Sequence, residues 1–282
     1  MMKKLLLISN ILAVTSGAAS ADIAFSGDAR MGLASTDGGK TFTTSNRMRL
    51  KIAGSGETDN ALKFGASMRS TQASDGSSTL AMQTTFIESA KLGKISFGDA
   101  DGAAQSVVTQ FVAIGFDDTK KYQEFKFLTG GSTSSGVDMI YNYTNGPIGV
   151  AVSMGEAGSA TYGDDRAAGL SYTTEFWKLA VGFEDNGTNS QSIVSGSIGN
   201  GQVDLKVAYG VQDDAKDQYV AYGTYIIGNT TLTAFVRKDL SDVNYQGFGV
   251  NHELGGGLAL SAGYAKKDAT DSVISIGALM TF

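Results

Sequence analysis

Short stretches of strictly alternating apolar and polar residues recur along this chain of 282 residues. Ile23, Phe25, Gly27, Ala29, Met31 and Leu33 alternate with Ala24, Ser26, Asp28, Arg30 and Gly32. Met48, Leu50 and Ile52 alternate with Arg47, Arg49 and Lys51, and Leu62, Phe64, Ala66 and Met68 with Lys63, Gly65, Ser67 and Arg69. The last eleven residues, Ser272 to Phe282, place Ile274, Ile276, Ala278, Met280 and Phe282 at every second position. Successive side chains of a strand point to opposite faces, so a period of two is the mark of a strand. A single Pro in the whole chain leaves the hydrogen-bond ladders nearly intact.

One soluble sheet, or a sandwich, would show the same alternation with its polar face in water. What separates the two is repetition. Candidate strands lie at 22–34, 45–55, 62–69, 79–91, 92–99, 135–144, 147–155, 167–174, 175–184, 191–199, 202–212, 217–227, 230–238, 244–253, 257–266 and 272–282, sixteen in all. Their apolar faces are plain in Trp177, Leu179, Val181 and Phe183, in Val203, Leu205, Val207 and Tyr209, and in Leu258, Leu260, Ala262 and Tyr264. The run from Thr79 to Lys91 has no clean face. Tight connections at Gly93, Asn145-Gly146-Pro147, Thr174-Glu175, Gly199-Asn200-Gly201, Gly228-Asn229 and Gly255-Gly256-Gly257 alternate with longer polar loops. The connection 55–60 should be tight by this rhythm and is longer. No segment after residue 21 approaches the ~18 apolar residues of a helical span. A membrane fold for this chain is therefore a closed barrel, which satisfies its own backbone in lipid. An even strand count with short turns at one end and longer loops at the other fits an antiparallel transmembrane β-barrel.

The ends and the charge balance narrow the class further. Lys3-Lys4, the apolar run Leu5–Val14 and Ala19-Ser20-Ala21 read as a signal peptide over residues 1–21, leaving a barrel domain over 22–282. Removing those residues takes the net charge from −6 to −8, which argues against nucleic acid as a partner. Without Cys there is neither a disulfide nor a thiolate metal site. The lone His252 lacks a nucleophile or metal companions and reads as a rim residue, so no enzyme is expected. Asp164-Asp165 and Asp213-Asp214 are the residues that would hold a surface Ca²⁺, but solvated loop charge is the plainer reading, and no cofactor is expected. Trp177 and the tyrosines read as interfacial girdle.

The connection from about 99 to 134 breaks the rhythm. Its residues Val107-Val108, Phe111 to Ile114, Phe116 and Phe125 to Leu128 are too apolar for a solvated insert, so it is expected to fold into the lumen.

Gly27-Asp28-Ala29-Arg30-Met31-Gly32-Leu33, Ser45 to Ile52, Gly54, Glu57-Thr58-Asp59, Lys63 to Arg69, Gly98 to Ala103 and the last Phe282 follow one another along the chain. In these motifs and their order the chain resembles the general porins of Gram-negative outer membranes, of the alphaproteobacterial, Rhodobacter-like type. It implies a water-filled, sixteen-stranded barrel in the outer membrane, a homotrimer, passing ions and small hydrophilic solutes by passive diffusion. It also implies that the third long loop folds inward as a constriction, with loop carboxylates facing a basic wall. The wall candidates are Arg30, Arg47, Arg49, Lys51, Lys63 and Arg69; the loop candidates are Asp99, Asp101, Asp117, Asp118 and Glu124. Arg30, Arg47, Arg49, Lys63 and Arg69 are expected to form one basic patch. Residues 110–116 are uncharged where such a loop often carries acids, so only a mild cation preference is expected. Asp117-Asp118 beside Lys120-Lys121 can equally be read as a self-compensating loop surface. Phe282, on a final strand that must pair with the first, is expected to act as an assembly signal. The alternative is a barrel serving as a solute-specific channel or an adhesin.

Overall fold

The computed structural model describes residues 22–282 except 109–110, 117–120, 131–137, 157, 160–162, 269 and 271, and omits the side chains of Met82 and Gln83. Residues 1–21, read above as a signal peptide, lie outside the described residues. Sixteen strands form in chain order: β1 Asp22–Ser35, β2 Thr43–Glu57, β3 Lys63–Ala73, β4 Ser78–Ser89, β5 Gly93–Gly98, β6 Met139–Asn145, β7 Ile148–Met154 and β8 Arg166–Thr173. They continue with β9 Trp177–Asp185, β10 Ser190–Gly199, β11 Val203–Gln212, β12 Gln218–Ile227, β13 Thr230–Lys238, β14 Asn244–Gly255, β15 Leu258–Lys267 and β16 Val273–Thr281. Each pairs antiparallel with its neighbours in sequence, and β1 pairs with β16, so the sheet closes into a barrel with no free edge. The seam runs from Asp28 opposite Thr281 to Ser35 opposite Ile274. Below it, Gly27 and Phe282 exchange backbone hydrogen bonds of 2.6 and 3.0 Å.

Alternation sets the two faces of this wall. On β9, Trp177, Leu179, Val181 and Phe183 are exposed while Ala180 and Gly182 between them are buried. The same holds for Val203, Leu205, Val207 and Tyr209 on β11, with Ala208 buried. The exposed apolar residues recur from strand to strand and together far exceed the few hundred Å² a soluble monomer exposes in one patch. Lipid is the solvent that suits them. Trp177 stacks on Tyr172 and Phe248 on Tyr264 within this outer surface, with ring centroids 5.4 Å apart in both pairs.

Two bulges interrupt the ladder. Ser67 pairs with Thr84 but Met68 pairs with Met82, which leaves position 83 as an extra residue in β4. An extra residue flips every later side chain to the other face; this is why the run Thr79–Lys91 shows no clean face in sequence. The second lies near Leu254, where Glu253 faces Ala259 and Gly255 faces Leu258. Gly255, Gly256 and Gly257 then turn the chain with φ of 91°, 62° and 85°, values that side-chain-bearing residues adopt only with strain. The long connection between β2 and β3 is closed by Thr58, whose N–H donates to the Leu62 carbonyl at 3.0 Å, with Ala61 at φ 60°.

The connection between β5 and β6 runs to Asp138 and opens with a short helix, α1 Ala103–Val107, which alternation gave no reason to expect. The first residues of the strand candidate at 135–144 lie outside the described residues, and β6 starts at Met139. Five residues without a side-chain cap do not hold a helix alone. Packing does: a Cβ built on Gly182 would lie 2.8 Å from Ala104 Cβ, and one on Gly169 2.5 Å from Val107 Cγ2, so the helix rests directly on the backbone of β8 and β9. Val108, Phe111, Ile114, Phe125 and Phe127 continue this contact in one buried cluster with Ala151, Ile193, Ala208, Val220, Phe235 and Ala265. Those wall residues belong to the face opposite the exposed apolar one.

Candidate functional site

Register brings the basic residues of the first three strands together. Arg30 lies opposite Arg47, Asp28 opposite Arg49, and Lys51 opposite Arg69. All alternate with the exposed Met31, Met48 and Met68, so they share the face that the loop also packs on. Asp28, on the same face, was not singled out from sequence. Arg49 Nε donates to both its carboxylate oxygens at 2.9 and 3.0 Å, and Arg47 Nη2 lies 3.6 Å from Oδ2. One carboxylate thus offsets part of the charge of two guanidinium groups. Lys63 does not join this patch. It stands opposite Glu57 and Glu88, six residues along β3 from Arg69, which is about 20 Å of strand.

The loop acids are dispersed. Asp99 follows β5 directly, and Asp101 accepts a hydrogen bond from Gln105 Nε2 at 2.8 Å. Protein packed around Asp101, and then the neighbouring Asp99, push its carboxyl above the usual carboxylate range even though the residue touches solvent. Glu124 is paired with Lys121 at 3.1 Å and so is locally compensated. Asp117 and Asp118 lie outside the described residues.

A set of buried polar side chains that the sequence gave no sign of holds the second half of the loop. Glu184 on β9 accepts hydrogen bonds from Leu128 N–H at 2.9 Å, Thr129 N–H at 3.3 Å and Thr129 Oγ1 at 2.9 Å, and from Gln191 Nε2 at 3.1 Å. Gln191 on β10 and Gln218 on β12 both donate to the Lys126 carbonyl, at 3.1 and 2.7 Å, and Gln218 Oε1 accepts from Lys126 N–H. Arg237 on β13 donates to the Tyr122 carbonyl at 3.1 Å and stacks on Tyr245, 4.7 Å from its ring centre. Four wall side chains therefore serve the backbone of residues 122–129 as a neighbouring strand would. Glu184→Ala would orphan buried N–H groups at about 1–3 kcal/mol each. The expected outcome is an intact barrel whose loop becomes sensitive to protease and whose channel current becomes noisier; a quiet, resistant variant would show that the loop is held elsewhere.

His252 shares a 2.8 Å hydrogen bond with Thr230 on β13. Asp164 pairs with Arg166 at 4.0 Å, and Asp213 accepts a hydrogen bond from Ser190. Among the described residues no group of three or more His, Cys, Asp or Glu is placed to hold a metal ion.

The barrel and its basic wall can be set beside known proteins. The family model described as Gram-negative porin matches residues 9–272. The chain belongs to the Gram-negative porin family. This porin is 28% identical to a porin of Rhodobacter capsulatus, over 93% of this chain and 100% of the relative. It is 25% identical to a porin of Fuscovulum blasticum, over 84% of this chain and 91% of that one. Its backbone superposes on a porin structure refined at 1.8 Å resolution with a TM-score of 0.77, at 25% identity, covering 92% of this chain and 100% of the other. Membership of the family places the protein in the outer membrane and points to a channel rather than an enzyme.

Proposed function

We propose that this porin is a water-filled pore for passive diffusion of ions and small hydrophilic solutes, narrowed by the described residues of the segment 99–130 lying inside the lumen. The observation that carries the proposal is the reach of that segment. Ala104 rests on Gly182 of β9, Phe125 on Gly210 of β11, Gly115 on Gly263 of β15, and Phe116 on Gly277 of β16 and Gly32 of β1. A single short segment reaches strands so far apart around a closed barrel from within it, where they converge. The exposed apolar belt on the other face supports the same orientation. Pore-lining roles for Arg30, Arg47, Arg49, Lys51 and Arg69, with Lys63 nearer the short-turn mouth, follow from that orientation, as does a facing acidic contribution from Asp99 and Asp101. The proposal includes a homotrimer, no resident cofactor, and short turns facing the periplasm.

Swelling of liposomes loaded with the protein tests the pore directly. Small sugars should cause swelling at rates that fall steeply with molecular size. Equal rates for all sugars, or none above empty liposomes, would contradict the reading. Phe282 is proposed to aid assembly, because its ring lies over Gly27, where a Cβ would be 2.3 Å from the ring. Phe282→Ala should lower the fraction inserted in the outer membrane with export unchanged; full insertion would remove that role.

A further inference from the structure

Opposite the arginine wall, the barrel carries a second basic feature. In a closed barrel of sixteen strands β10 stands across from β2. On β9, β10 and β11, Lys178 lies opposite Ser197, and Ser197 opposite Lys206. These three residues form one row on the face of Ala180 and Ala208, two positions, or about 7 Å, nearer the short turns than the buried footing of the loop. The lysines are two strands apart, about 10 Å between backbones, so their stems can bring both ammonium groups to one point above Ser197. They are within electrostatic reach of each other. Neither has an ion-pair partner among the described residues. Lys206 lies 5.9 Å from the centre of the Tyr222 ring.

The row opens into a cavity of about 380 Å³ between the turns that end β8 and β10. Besides the row its lining includes the polar Glu175, Asn200 and Asp204 and, from the apolar side of the wall, Phe176, Trp177 and Ile198. Both carboxylates lie on the short-turn side of the row, Asp204 turned over Gly199 and Glu175 in the turn itself, and neither forms an ion pair with a lysine of the row among the described residues. Two neighbouring like charges in a partly enclosed site repel. An oxyanion between them removes the repulsion and gains charge-assisted hydrogen bonds from two ammonium groups and a hydroxyl. The three side chains of the row are on the face opposite the apolar one.

We propose that Lys178, Ser197 and Lys206 form a binding station for small soluble oxyanions, phosphoryl or carboxylate, just past the constriction on the short-turn side. The station rests on the channel reading and gives it a solute class. An anion that clears the arginine wall and the loop meets a second cationic site before leaving the pore. Binding there is brief enough to let solute pass and strong enough to raise its local concentration.

Inorganic phosphate is the probe. Channels are first recorded in KCl, and phosphate is then added to each side in turn. It should reduce the current at lower concentration from one side than from the other. In Lys178→Gln/Lys206→Gln the half-blocking concentration should rise at least about tenfold, the loss expected for even one of the two charge-assisted hydrogen bonds removed. Lys94→Gln removes a lysine on the same face of β5, where the amine sits over Phe86, and should leave the block unchanged. An unchanged block in the double variant, or an equal loss in Lys94→Gln, would overturn the station while leaving the channel intact. Absence of any KCl steps would instead overturn the channel reading, and the station with it.

Discussion

Excising residues 103–129 should raise single-channel conductance by about twofold or more, because pore width sets conductance in a water-filled channel. The cut is one the fold can take. A Cβ built on Gly130 would lie 2.2 Å from the Gly102 nitrogen, so the two ends of the excised segment already touch. The wall keeps its sixteen-strand ladder, since every strand pairing is between strands and none runs through the loop. What is lost is the burial of Val107, Val108, Phe111, Phe125 and Phe127 against alanines and glycines of the wall, so the variant should also unfold at a lower temperature. Larger sugars should then permeate. Unaltered conductance and an unaltered sugar cut-off would mean that the segment does not narrow the pore.

The second large effect concerns charge. Arg47→Ser with Arg49→Ser removes two guanidinium groups and leaves Asp28 without its partners at 2.9 and 3.6 Å. The wall becomes more negative by two charges, and a carboxylate that was compensated now acts on passing ions. The cation-to-anion permeability ratio should rise on the order of twofold at 0.1 M salt, where the Debye length is about 10 Å, and the change should fade at 1 M, where it is about 3 Å. Lowering the pH should weaken cation preference in the parent and in the variant alike, beginning above the usual carboxylate range, because Asp101 takes up its proton early. A reversal potential that stays fixed at low salt would put these arginines outside the conduction path.

These two predictions draw on different depths of the sequence. The wall itself was legible, because Val203, Leu205, Val207 and Tyr209 announce a strand without help from any other strand, and fourteen further stretches do likewise. β4 was not, since one extra residue at position 83 moves its apolar residues from one face to the other. The arginines were readable as one face of one strand, yet Asp28 bridging Arg47 and Arg49 required the β1–β2 register, which alternation alone leaves free. Lys63 was grouped with Arg69 for the same reason; they share a face but stand at different heights. Helix α1 is short and gets no cap from its own N-cap residue, and it exists because Gly169 and Gly182 leave room for it, and Ser153 accepts a hydrogen bond from its first N–H, from far along the chain. Gln191 and Gln218 look like ordinary polar positions in their strands; only the approach of Lys126, 65 and 92 residues away, gives them a purpose.

All of this stands or falls on whether the barrel conducts. The purified protein in a planar bilayer should produce discrete current steps that are linear in voltage and that scale with KCl concentration, as expected for ions moving in a water-filled bore. Steps that saturate with salt at low concentration, or a membrane as silent as one without protein, would contradict it.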